Sequence, residues 1–203
     1  MEIKKNKITV VLGINKELNV DENLEHENRS IKEYISEKFE NLSDKKIDEA
    51  LKICLLKEED KEKKISNLSS NELEKLKLCI KLLKNDSTIS LNFFEHVFLI
   101  KELNYFKSLF KKMVKKYNKT VVIFTNKLDR IMDCFDILIV LNQNQQVVLE
   151  TNDIYDDKIY NFIETPEIIE FVKFLKNKNI KMEKYTDRKE LLKAIYRSVA
   201  WDI

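Results

Sequence analysis

Apolar positions along the chain alternate between two spacings. Short unbroken runs, many rich in β-branched residues, read as strands buried on both faces: Lys7–Leu12 (KITVVL), Lys119–Asn126 (KTVVIFTN) and Asp136–Asn142 (DILIVLN). Ser87–Phe94 (STISLNFF) is an apolar run of strand length, and Gln146–Glu150 (QVVLE) is placed to pair with Asp136–Asn142 across a short turn. Between these runs apolar residues return every three or four positions, the spacing of a one-sided helix. Leu73, Leu76, Ile80 and Leu83 share one face, with Glu74, Lys75, Lys77 and Lys81 expected to stay wet. Leu103, Phe106, Phe110 and Val114 form another such face, and Ile47, Leu51, Cys54 and Leu55 a third. Ser30, Ser43 and Ser69 stand where helix N-caps belong. Ser69 has Glu72 three residues on, the spacing of a capping box.

Strands alternating with helices predict an α/β domain with a mostly parallel sheet flanked by helices. Residues 1–152 hold the strands and form the core. Residues 153–203 form a small α-rich C-terminal extension packed on it, with helices near Pro166–Lys176 and Asp187–Val199. Ile168, Val172 and Leu175 mark the inward face of the first, and Leu191, Leu192, Ile195 and Val199 that of the second.

Composition narrows the chemistry. With 203 residues, 43% of them hydrophobic, the chain supports one sizeable domain. Thirty-seven basic residues against 35 acidic ones give a formal charge of +2, which argues against a dedicated nucleic-acid binder. Cys54, Cys79 and Cys134 each sit in an apolar pattern and read as buried free thiols. His26 and His96 lack ligand-spaced companions, so no metal site is expected. No apolar run reaches the roughly 20 residues of a membrane span. A single glycine and a single proline complete an unusual composition.

The order of elements from Lys46 to Gln146 resembles the later half of an ATP-binding cassette (ABC) ATPase. KIDEALKICLL and KKISNLSSNELEKLKLCIKLL stand where that family has a helix and its LSGGQ or LSGGE signature. STISLNFFEHVF stands at its carboxylate strand, and KKYNKTVVIFTNKLDRIMDCFDILIVLNQNQQVV at its histidine strand and final strand pair. The N-terminal KNKITVVLGIN resembles the strand entering a P-loop. The resemblance implies a P-loop NTPase-like fold, here shortened in its N-terminal half because little chain lies between Asn15 and Arg29.

The residues that perform chemistry in that family do not match. A P-loop needs G-x-x-x-x-G-K-[ST] to cradle phosphates and hold magnesium. At that place stands GINKELNV, where Gly13 is the one glycine of the chain and Lys16 is not followed by Ser or Thr. Losing three or four phosphate contacts of roughly 1–1.5 kcal/mol each lowers affinity by about 10²–10⁴. Asn92 falls at the magnesium-holding Asp and Phe93 at the catalytic Glu. Glu95 is the one acidic candidate nearby, and it reads more simply as the opening of a surface turn. Asn126 falls at the γ-phosphate-sensing histidine. In the signature Leu68, Ser69 and Glu72 match, while Ser70 and Asn71 replace both glycines. Ser69, Ser70, Asn71 and Glu72 are therefore the remaining nucleotide-facing candidates, with Gly13, Asn92 and Asn126 marking the lost motifs.

These residues predict a catalytically inactive, cytoplasmic ABC-type subunit of bacterial kind. It would act through contacts with a related ABC ATPase or a membrane transporter subunit, as a hetero- or homodimer. On this reading it lies at the inner face of the membrane only through a partner. No cofactor is expected. The alternatives are a divergent active ABC ATPase using ATP and magnesium, with Glu95 as its weak catalytic candidate, and an adaptor that keeps only the fold.

Overall fold

A strand with neighbours on both edges and layers on both faces exposes nothing, so its sequence must be apolar throughout. Ile8–Leu12 meets that demand: all five residues of this strand, β1, are buried, Val10 and Val11 completely. The computed structural model describes residues 2–13, 24, 26–40, 42–92, 94–142, 145–161, 163–180 and 182–200. Around β1 it sets β2 (Thr88–Asn92), β3 (Thr120–Thr125), β4 (Ile137–Asn142) and β5 (Gln145–Glu150) in one five-stranded sheet of order β2-β3-β1-β4-β5. The first four run parallel, and β5 folds back antiparallel on β4, with Ile139 opposite Val148.

The period of two along β1 divides the core between two faces. Ile8, Val10 and Leu12 join the large cluster that includes Ile123, Leu138, Leu76 and Phe106. Val11 joins Val122, Ile137 and Ile139 on the other face. Asp136 fixes the lower end of β1, its Oδ2 accepting from the Ile8 amide at 2.8 Å.

Among the described residues six α-helices accompany the sheet: α1 (Ile31–Lys38), α2 (Asp44–Ile53), α3 (Ser70–Lys84), α4 (Ile100–Tyr117), α5 (Glu167–Asn177) and α6 (Arg188–Ala200). Ser30 caps α1 through its side chain, as its position predicts, whereas Ser43 occupies the cap position of α2 without a side-chain hydrogen bond. Two inward assignments and one outward one need correction. Leu55 lies beyond the end of α2 with φ +59° and is exposed, because the chain has already turned out of the helix. Leu192 on α6 is exposed while Leu191 is buried. Lys75, expected in water, is buried on α3 and paired with Glu102 of α4 at 2.6 Å. Ile168, Val172 and Leu175 of α5 are buried as the spacing predicts, and Cys54, Cys79 and Cys134 are buried free thiols.

A chain with one glycine must find other residues for left-handed backbone. Asparagine does so here: Asn6, Asn85, Asn118 and Asn179 all have positive φ, and Asn85 and Asn118 terminate α3 and α4. Gly13 itself has φ +84°, and a Cβ there would stand 2.0 Å from the Leu141 carbonyl oxygen. The glycine is thus required by the close passage of the β1 exit over β4, whatever binds nearby. Gly13→Ala is expected to lower the unfolding free energy by about 1–3 kcal/mol in urea denaturation. An unchanged midpoint would contradict this packing.

Candidate functional site

In open α/β sheets ligands bind beyond the carboxyl ends of the parallel strands. The register here brings three such ends level: Leu12 pairs with Thr125, and Asn92 pairs with Phe124. Gly13, Asn92 and Asn126 therefore follow or close three neighbouring strands at one edge. Asn126 is exposed and Asn92 half-buried. The segment 14–23 that follows Gly13, Lys16 included, lies outside the described residues, as does Phe93.

Glu95 is the chief surprise at this edge. Far from opening a surface turn, it is only 1% exposed, held in the short helical turn Phe94–His96 that follows β2. Its Oε1 accepts from the Thr125 hydroxyl at the end of β3 and lies 3.1 Å from His96 Nε2. Thr125 is positioned in turn by the Lys127 amide, which donates to its Oγ1 at 3.1 Å. Glu95 Oε2 is buried with no hydrogen-bond partner among the described residues. Burial raises the carboxyl above its ordinary pKa, and the Thr125 hydrogen bond and the His96 and Arg130 charges pull it partly back. A carboxyl so placed cannot meet a ligand in bulk solvent without movement of its turn. The sequence did carry a signal for this burial, since the residue interrupts the apolar run Phe93–Phe98.

The signature-like residues sit elsewhere, at the head of α3. Ser69 is the N-cap, its Oγ accepting from the Glu72 amide at 3.3 Å while Glu72 Oε2 accepts from the Ser69 amide at 2.9 Å. Ser69 and Lys63 hydrogen bonds hold Glu72 down at a pKa of about 2. Ser70 is exposed. Asn71 is committed inward: its Nδ2 donates to the Val97 carbonyl at 3.1 Å and to Glu102 Oε2 at 3.0 Å. With Lys75 on the same carboxylate, this network ties α3 to the start of α4, a role the spacing alone did not indicate. Directly beside it Leu99 and Ile100 stand 74% and 71% exposed.

This strand order, with β3 between β1 and β2 and helices to either side, has many solved counterparts. CbiO1 from Clostridium perfringens, part of the ABC transporter complex CbiONQ, aligns at a TM-score of 0.60 and 15% identity over 85% of this chain and 90% of that one. The fold is that of an ABC transporter ATP-binding cassette. A second such cassette, solved in its ADP conformation, gives a TM-score of 0.60 at 14% identity, covering 79% of this chain and 88% of its own. A bacterial ABC transporter cassette solved as a dimer gives 0.57 at 16% identity, covering 72% and 87%. No protein family and no curated protein matches by sequence.

Two measurements check these local assignments. Ser69→Ala should lower stability by about 1 kcal/mol at neutral pH. That penalty should shrink as pH falls from 4.5 toward about 2, where Glu72 takes up its proton. A penalty independent of pH would contradict the capping box. Glu95 behaves with the opposite sign: the folded state keeps a proton that the unfolded chain releases, so its ionisation costs stability as pH rises above 4.5. Glu95→Gln should therefore stabilise the protein at neutral pH more than at pH near 4.5, as followed by thermal unfolding. An equal effect at both pH values would contradict the buried, raised carboxyl.

Proposed function

We propose that this cassette-fold chain is a non-hydrolysing subunit that works through protein contacts, with a competent ABC ATPase or a transporter subunit as its partner. The observation that carries the reading is the donor set at the strand ends. Asn92 and Asn126 are neutral, and the carboxyl of Glu95 is buried against Thr125. Gly13 serves the crossing over Leu141. Magnesium requires oxygen ligands of high charge density, and phosphates require several free amides or a cation. Among the described residues, this donor set does not fit a magnesium nucleotide.

The protein-contact half of the reading rests on the head of α3 and the start of α4. Ser69 and Ser70 are exposed there, the Asn71–Glu102 network makes the surface rigid, and Leu99 and Ile100 present two adjacent aliphatic side chains to water. Adjacent exposed aliphatics on a rigid frame suit a protein partner. The dimeric cassette among the structural neighbours supports pairing with a related subunit, and CbiO1 supports work beside a membrane complex. Residues 153–203 are read as an extension on that core, since Ile154, Ile168, Val172 and Leu191 share its apolar cluster. On this reading the chain is cytoplasmic and binds no cofactor.

The active-ATPase reading has one observation in its favour, a buried carboxyl with a free oxygen at the sheet edge. It would require the turn carrying Glu95 to open.

The partner reading is tested by adding the purified chain to a competent ABC ATPase from the same organism and following phosphate release. The partner's rate should change, and Leu99→Asp with Ile100→Asp should weaken that effect by about tenfold or more, the scale of an interface anchor. No effect on the partner, or an effect untouched by the double variant, would contradict the assignment.

A further inference from the structure

The end of α5 carries a surface that neither the core nor the proposed partner face uses. Phe171 and Phe174 are 43% and 54% exposed on one helical face, stacked with ring centroids 6.5 Å apart. The helix ends at Lys178, and Asn179 turns the chain with φ +61° so that the Ile180 amide donates back to the Leu175 carbonyl at 3.1 Å. That left-handed closure delivers Ile180, 40% exposed, just beyond the aromatic pair in sequence. Residues 176–180 are all exposed, so the helix end stands out from the body.

The charge of this stretch is predominantly positive. Residues 171–184 contain five lysines and a single glutamate, and of the lysines Lys173 is paired with Asp157. Lys178 Nζ lies 5.8 Å from the centroid of the Phe174 ring, and Lys176 Nζ 5.7 Å from that of Tyr155. Among the described residues neither of these two lysines pairs with a carboxylate. The acidic residues of α5, Glu167 and Glu170, stand in its first turn, where Arg188 engages Glu167. Positive charge and exposed apolar surface thus coincide at one end of the helix.

From this coincidence we infer that Phe171, Phe174 and Ile180, with Lys176 and Lys178, contact an anionic lipid surface. Phe171, Phe174 and Ile180 supply apolar area that enters the headgroup boundary. Lysine stems lie along that boundary while their ammonium groups meet lipid phosphates. Each basic residue near an anionic leaflet adds attraction that salt screens. Lysines held out of fixed ion pairs at an exposed helix end, as Lys176 and Lys178 are among the described residues, suit a fluid sheet of phosphates, and an acidic protein is the alternative that the test separates. No described helix is long and apolar enough to cross a membrane, so the contact is peripheral. The surface works whether or not the strand ends hold nucleotide.

The test is co-sedimentation of the full chain with vesicles of phosphatidylcholine alone and with vesicles that also contain phosphatidylglycerol. Binding should occur only to the anionic vesicles and should be lost at high salt. Lys176→Glu with Lys178→Glu should weaken it by about tenfold or more. Phe171→Ser with Phe174→Ser should weaken it as well, while leaving the thermal unfolding midpoint nearly unchanged because both rings are exposed. No sedimentation with anionic vesicles at low salt overturns the inference and leaves the patch to an acidic protein. Equal binding to both vesicle types, or binding unaffected by both double variants, overturns it too.

Discussion

The burial of β1 on both faces and both edges is the constraint on which the rest of this structure depends. Its five residues pair with β3 on one side and four of them, Thr9–Leu12, with β4 on the other, and each pairing fixes a register. The registers decide what lies at the carboxyl edge: Leu12 beside Thr125, and through β3, Asn92 beside Phe124. A slip of one residue would turn Val10 out of the large apolar cluster and Thr9 into it, so the edge cannot be rearranged cheaply. The same constraint explains the single glycine. Where β1 leaves the sheet it passes so near the Leu141 carbonyl that no Cβ fits, and a feature that reads as part of a phosphate loop is demanded by backbone packing alone.

Much of this was legible in the residues. β-branched runs and three-to-four spacing located the five strands and the inward faces of α3, α4 and α5, because burial on two faces or one imposes those periods directly. The capping box of Ser69 and Glu72 was legible for the same reason, since it depends only on residues three apart. What periodicity could not supply was long-range pairing. Lys75 is on the polar side of its helix by spacing, yet α4 arrives there with Glu102 and buries it. Glu95 is acidic and follows a strand, which reads as a turn, yet Thr125 and His96 close over it. Leu55 and Leu192 follow their helical patterns but fall where the chain turns away or faces water.

The two halves of the site differ in kind. Among the described residues, the strand ends present neutral carboxamides and a buried carboxyl. At the head of α3, by contrast, every polar side chain described except Ser70 has a structural employment. Ser69 and Glu72 satisfy each other, and Asn71 and Lys75 converge on Glu102. A surface organised in this way is rigid, and Leu99 and Ile100 stand exposed beside it. The cassette fold provides the frame, and this chain's own side chains decide the use to which the frame is put.

The central claim is that this frame does not hold or hydrolyse a magnesium nucleotide. Calorimetric titration of the purified chain with magnesium-ATP, followed by a phosphate-release assay on the same sample, tests it most directly. The account predicts no saturable heat up to millimolar nucleotide and no phosphate released. Micromolar binding accompanied by phosphate release would contradict it and make the chain a divergent enzyme.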